Sequence, residues 1–110
     1  MSEEHLQQLL ATLRRIAALL PDALDAWHED EVARLAVERL WIFAGNLADA
    51  YRLAAGIDAG LGPWAELHRF RSLLAHGLPG DLSEDRVWYE SVTDLQRLTA
   101  HVERELQGGA

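Results

Sequence analysis

Apolar residues recur at three- and four-residue steps along most of this chain, which is the pattern of amphipathic helices. The first stripe runs from Leu6 to Leu20 and ends at Pro21, which cannot continue a helix. A longer stripe follows an acidic start at residues 29–31, which suits the positive end of a helix dipole, and ends near Gly56. Its apolar positions are Val32, Leu35, Leu40, Phe43, Leu47, Tyr51 and Ala54.

Two further helical stripes follow a glycine-rich turn. One starts at Pro63, a residue suited to the first turn of a helix, and ends before Gly77. The other has Asp81 or Ser83 as its cap and continues from Trp88 to Leu106. Because no alternating strand pattern occurs, the sequence predicts one domain over residues 1–110, an all-α antiparallel bundle of about four helices.

Composition narrows the class of protein. The chain has 110 residues, no cysteine and a net charge of −8. These features exclude disulfides and thiolate metal sites, and they disfavour loose binding to nucleic acid through a broad basic surface. No apolar run reaches the roughly 20 residues of a membrane span, and the acidic N-terminus is unlike a signal peptide. We therefore expect a cytoplasmic protein with no membrane partner.

Charge is unevenly distributed, and one segment differs from the rest. Residues 1–62 carry ten acids against five arginines, and residues 81–110 carry seven against three. The segment 63–80 has Arg69 and Arg71 against a single glutamate, and it also contains two histidines. The only locally basic stretch is therefore the one that carries the candidate chemistry.

That chemistry is an Arg-x4-His motif, Arg71 and His76, at the end of the third stripe. Arginine is a permanent cation whose planar fork suits phosphate, and histidine exchanges protons near neutral pH. Together they supply the cation and the proton-transfer group that metal-free RNA cleavage needs, although a histidine capping the helix end and an arginine paired with an acid is the simpler interpretation of the motif alone. Five helical residues rotate the chain so that the two side chains diverge by about 140°. Three features could bring the two side chains together: the length of Arg71, unwinding of the helix near Gly77, or a second copy across a two-fold axis. The last route predicts a dimer with the motif at its interface.

Other residues have weaker claims to a functional role. His68, Arg69, Ser72 and Asn46 are candidate substrate contacts, while Gly45 is expected to permit close helix packing. His28 beside acidic neighbours resembles a metal cluster, although a solvated helix start is the simpler interpretation. The chain has no carboxylate pair, phosphate-binding glycine loop or zinc spacing, so we expect neither a metal nor a cofactor.

In these segments the chain resembles the HepT-like branch of the HEPN superfamily, toxins paired with minimal nucleotidyltransferase antitoxins. The resemblance covers nearly the whole chain and is carried by residues 30–34, 36–40, 45–48, 64–71, 74–77, 87–88 and 94–95. It implies a dimeric helical bundle acting as a metal-independent ribonuclease, with Arg71 and His76 as the catalytic pair. It also implies a cognate minimal nucleotidyltransferase antitoxin as partner.

One position departs from that family. Many members carry, two residues after the histidine, a tyrosine that receives AMP from the antitoxin, and this chain has Leu78 there. The departure predicts inhibition by a bound partner that covers residues 63–80. Another acceptor, such as Tyr89 or Tyr51, or another kind of HEPN system, is the alternative. A second functional hypothesis is a non-catalytic HEPN protein that binds a nucleotidyltransferase or RNA, with Arg71 and His76 in structural roles.

Overall fold

A computed structural model describes residues 2–76 and 83–108. These residues form five α-helices and no strand, which confirms the all-α prediction. None of these helices is both long and apolar enough to cross a membrane. The helices are α1 (Ser2–Leu19), α2 (Leu24–Glu29), α3 (Glu31–Ala55), α4 (Gly62–His76) and α5 (Glu84–Leu106).

Local signals set the helix boundaries. The Asp30 side chain accepts a hydrogen bond from the Ala33 amide at 2.9 Å and caps α3. Gly56 ends α3 with φ of 71°, a left-handed conformation that glycine adopts without a Cβ penalty. Ser83 caps α5 by accepting from the Arg86 amide, while the alternative cap, Asp81, lies outside the described residues.

The short helix α2 was not predicted, since the sequence pattern indicates only a connection at this point. Six residues are too few to show a helical period. The helix is held by Trp27, which is fully buried and donates its indole N–H to the carbonyl of Glu84 at 2.8 Å. A tertiary contact, rather than a local pattern, therefore orders this segment.

Helix α3 is central to the core and packs against α1 and α4. Three small buried residues, Ala44, Gly45 and Ala48, allow neighbouring helices to approach it closely. Its other buried residues are Ala33, Val37, Leu40, Trp41 and Tyr51.

A second face of α3 is apolar but exposed, which corrects the predicted stripe. Val32 is 78% exposed, Leu35 59% and Phe43 41%, although all three belong to the apolar pattern. Leu53, at 69%, lies on the same side by helical geometry. Within the described chain, α3 therefore keeps a partly exposed apolar stripe, Val32, Leu35, Phe43 and Leu53, in which the Arg39 guanidinium lies 4.5 Å from the Phe43 ring centroid.

Candidate active site

Gly45 of α3 lies directly against Arg71 of α4. A Cβ atom at position 45 would stand 2.4 Å from the Arg71 Cβ and 2.9 Å from the Leu67 carbonyl oxygen. Both distances are shorter than van der Waals contact, so only glycine fits here without moving a helix. The prediction that Gly45 permits close packing is confirmed. This contact holds the start of the Arg71 side chain against α3.

Asp49 follows Gly45 by one helical turn and lies beside the same arginine. Its Oδ2 is 3.7 Å from the Arg71 Nε, within ion-pair distance but too far for a hydrogen bond. The Arg71 Nε is buried and has no hydrogen-bond partner among the described residues. A buried donor without an acceptor costs free energy, so this nitrogen is not stabilised by a hydrogen bond within the fold.

His68 completes the group, because its Nδ1 lies 3.1 and 2.9 Å from the two Asp49 oxygens. An ionised carboxylate only accepts hydrogen bonds, so Nδ1 must be the donor. In the neutral ring Nε2 is then the acceptor, on a side chain that is 54% exposed. We call Asp49, His68 and Arg71 the Asp49 cluster.

His76 is the last residue of α4 and is exposed. The helix continues through it, so the unwinding that could turn it toward Arg71 does not occur up to this residue. Helical geometry separates the two residues by about 7.5 Å along the axis and about 140° around it. No hydrogen bond or ion pair in ranges 2–76 and 83–108 joins them. Within one chain, Arg71 is thus grouped with His68 and not with His76.

The remaining predicted substrate contacts lie elsewhere. Arg69 lines a cleft between α4 and α5, beside Phe70 of its own helix and Glu90 of α5. Asn46 is exposed on α3 and lines a shallow groove toward α1. Ser72 is half-buried on α4. Of the four predicted substrate contacts, only His68 shares a neighbour, Asp49, with Arg71.

Asp49 is the site residue that sequence reasoning missed. Its spacing from Gly45 is the available signal, because residues four apart on a helix share a face. A glycine predicted to admit another helix therefore identifies Asp49 as a residue facing that helix. The partners, His68 and Arg71, are three apart on α4 and also share a face.

Another polar group joins the end of α2 to the start of α5. His28 Nε2 is 2.5 Å from the Asp85 Oδ1, and this hydrogen bond raises the pKa of His28 above its usual value. His28, Glu84 and Asp85 place ligand-type atoms close together, but Arg34 already pairs with Glu84 at 2.7 Å. Ion pairing accounts for this group.

The two tyrosines differ in accessibility, which bears on AMP transfer. Tyr51 is buried and donates its hydroxyl to Glu105 at 2.7 Å. Burial and this bond raise the pKa of Tyr51 to about 12. Tyr89 is 55% exposed, and Leu78 lies outside the described residues. Tyr89 therefore offers the accessible phenol.

Comparison of the chain with protein-family models, curated proteins and solved structures finds no match.

Proposed function

We propose that this protein is a metal-independent endoribonuclease toxin of the HepT-like HEPN type, with Arg71 and His76 as its catalytic pair. The observation that supports it best is the placement of Arg71. Gly45 holds the Arg71 side chain against α3, and the Arg71 Nε lacks a hydrogen bond among the described residues. The His68 imidazole and Arg71 both lie beside the Asp49 carboxylate. This cation lies in the one locally basic segment of an acidic chain.

The proposed reaction is transesterification of the RNA backbone. A base removes the proton of a ribose 2′-hydroxyl, and the oxygen attacks the adjacent phosphorus. The bond from phosphorus to the 5′-oxygen breaks, and an acid protonates that leaving oxygen. The products are a 2′,3′-cyclic phosphate and a 5′-hydroxyl. Arg71 stabilises the charge that develops on the phosphate, and His76 transfers a proton.

Cleavage in the presence of EDTA tests this proposal directly. Arg71→Ala and His76→Ala should each lose at least roughly a hundredfold in rate, as expected for charge-stabilising and proton-transfer groups. Arg104→Ala, which removes an exposed arginine from α5, is the matched control and should keep wild-type activity. Circular dichroism checks that the variants remain folded. A requirement for a divalent ion, or full activity in His76→Ala, contradicts the mechanism.

The divergence of Arg71 and His76 on one helix is the reason to propose a homodimer, in which a second copy completes the site. The exposed apolar stripe of α3 supports this assembly. In an antiparallel pairing of two α3 helices about Phe43, Val32 and Leu35 of one copy would lie opposite Leu53 of the other. Sedimentation at micromolar concentration should give twice 12.3 kDa. A monomer under these conditions contradicts a shared site.

The proposed partner is a cognate minimal nucleotidyltransferase antitoxin that inhibits by covering residues 63–80. Co-expression followed by intact mass spectrometry should show no added mass on this chain. An increase equal to AMP, mapped to the exposed Tyr89, would instead show that the acceptor has moved from the family position.

A non-catalytic role is the second candidate, and one observation favours it. Asp49 lies within ion-pair distance of Arg71 and offsets part of the charge that would attract RNA. In this case the protein binds a nucleotidyltransferase or RNA without cutting it. Absence of RNA cleavage, together with tight binding that Arg71→Ala leaves unchanged, would favour this role.

A further inference from the structure

We infer that His68 is the general base of this site and that Asp49 positions it. The His68 Nε2 accepts the proton of the 2′-hydroxyl. The inference rests on the proposed function, because it assigns a step of the same reaction. It adds a second imidazole, His68, to the Arg-x4-His motif.

The orientation of His68 follows from its hydrogen bonds. Both Asp49 oxygens lie within 3.1 Å of Nδ1 and so select the ring form with a proton on that nitrogen. The lone pair is then on Nε2, the nitrogen directed away from the carboxylate. Asp49 itself is only 22% exposed and faces two nitrogen donors, so it is suited to orient a base and not to act as one.

The location of His68 matches the requirements of a base. The same oxygen, Asp49 Oδ2, contacts the Nδ1 of His68 at 2.9 Å and the Nε of Arg71 at 3.7 Å. His68 and Arg71 also share a face of α4, so a phosphate bound by the Arg71 guanidinium would lie on the same side of that helix as the His68 ring and would bring its neighbouring 2′-hydroxyl toward Nε2. His68 is more than half exposed, so substrate has access to it.

Proton transfer is divided between two histidines. His68 removes the proton from the 2′-oxygen as the bond to phosphorus forms. In the proposed homodimer, His76 of the second copy donates a proton to the 5′-oxygen as its bond to phosphorus breaks. One proton is taken and one is given, so the enzyme needs no external acid or base during cleavage.

A substrate with sulfur in place of the 5′-bridging oxygen separates the two roles. Thiolate is a good leaving group without protonation, so loss of the acid is tolerated with this substrate and loss of the base is not. His76→Gln should lose roughly a hundredfold on ordinary RNA and regain most of that rate on the sulfur substrate. His68→Gln should lose roughly a hundredfold on both substrates.

Asp49→Asn tests the positioning role. It should lower kcat roughly tenfold with KM unchanged, because the carboxylate acts through His68 and not on substrate. The double variant with His68→Gln should be no slower than His68→Gln alone, since residues that act as a unit are non-additive. Asp22→Asn, on an exposed turn, is the matched control and should behave as wild type.

Long-range proton–nitrogen NMR on neutral imidazoles gives a readout besides activity. Wild type should show His68 protonated on Nδ1, and Asp49→Asn should shift the proton toward Nε2. If wild type cuts RNA but His68→Gln keeps its rate, or the sulfur substrate rescues His68→Gln, this inference is wrong and the proposed function stands. If wild type does not cut RNA, both are wrong.

Discussion

Two polar clusters in this protein contain the same residue types, a histidine, an arginine and carboxylates, yet they are built differently. One joins α2 to α5 through His28, Arg34, Glu84 and Asp85, and we call it the α2–α5 joint. The other is the Asp49 cluster between α3 and α4. They differ in how completely their hydrogen-bonding groups are satisfied.

In the α2–α5 joint the arginine makes several bonds within the fold. Arg34 donates to the carbonyl oxygens of Trp27 and His28 at 2.9 and 2.6 Å, and its Nε pairs with Glu84 at 2.7 Å. The guanidinium thus closes the last turn of α2, where carbonyls would otherwise lack partners. The Nη1 and Nε of this side chain therefore both bond within the fold.

In the Asp49 cluster the arginine is held but not satisfied. Gly45 fixes the start of the Arg71 side chain. The Arg71 Nε lies 3.7 Å from the Asp49 Oδ2 and makes no hydrogen bond among the described residues. The Arg71 Nε therefore makes no hydrogen bond that ligand binding to the rest of the guanidinium would have to break. The contrast teaches that residue type does not separate a structural cluster from a candidate site. What separates them is whether the hydrogen-bond donors already have acceptors within the fold.

The largest expected effect concerns Trp27, which contacts the Glu84 backbone of the α2–α5 joint. Trp27→Ala removes a fully buried indole and the hydrogen bond to Glu84. It should lower the free energy of unfolding by about 3–5 kcal/mol. Chemical denaturation measures this change. A loss below about 1 kcal/mol would show that α2 is not anchored by this contact.

Removing each arginine in turn tests the comparison most directly. Arg34→Ala breaks two hydrogen bonds and an ion pair, and it should cost about 1–3 kcal/mol of stability. Arg71 is about as buried as Arg34 but its Nε makes no hydrogen bond, so Arg71→Ala should cost less stability than Arg34→Ala while lowering the proposed cleavage at least roughly a hundredfold. Denaturation curves measure the loss of stability in both variants. Equal losses would contradict the proposed difference between the two clusters.

Gly45→Ala tests whether close helix approach creates the site. Helix propensity alone would favour alanine by about 1 kcal/mol, but the clash with the Leu67 carbonyl and the Arg71 Cβ should cost about 1–3 kcal/mol. We expect net destabilisation and slower cleavage. Gly60→Ala is the control, since its new methyl would meet Asp58 at an ordinary 3.5 Å. A Gly45→Ala protein more stable than wild type would contradict the close contact.

The smallest effect is the pH dependence of the α2–α5 joint. The hydrogen bond to Asp85 raises the pKa of His28 above 6.5, so the folded state binds the proton more tightly than the unfolded state. This contribution is fully present below pH 6.5 and is lost as pH rises through the folded pKa. Wild type should exceed His28→Gln in stability at acidic pH, with the difference shrinking toward alkaline pH. A constant difference across that range would contradict the assignment.

Much of the fold could be predicted because its signals are local. Pro21, Gly56 and Ser83 mark helix ends through their own backbone and side-chain chemistry. Arg71 and His76 were recognisable as candidates by residue type and spacing. Asp49 was not, because its role depends on two residues of another helix.

The sequence by itself determined an all-helical chain, most helix boundaries, and the use of Gly45 as a packing position. A 3.6-residue period and end caps depend only on residues that are close together in the chain. Only the tertiary structure decided which apolar face of α3 is buried, that α2 forms, and that Arg71 meets Asp49 and His68. Such contacts depend on how one helix is rotated against another. One residue changes that rotation by about 100°, which a pattern along a single helix does not fix.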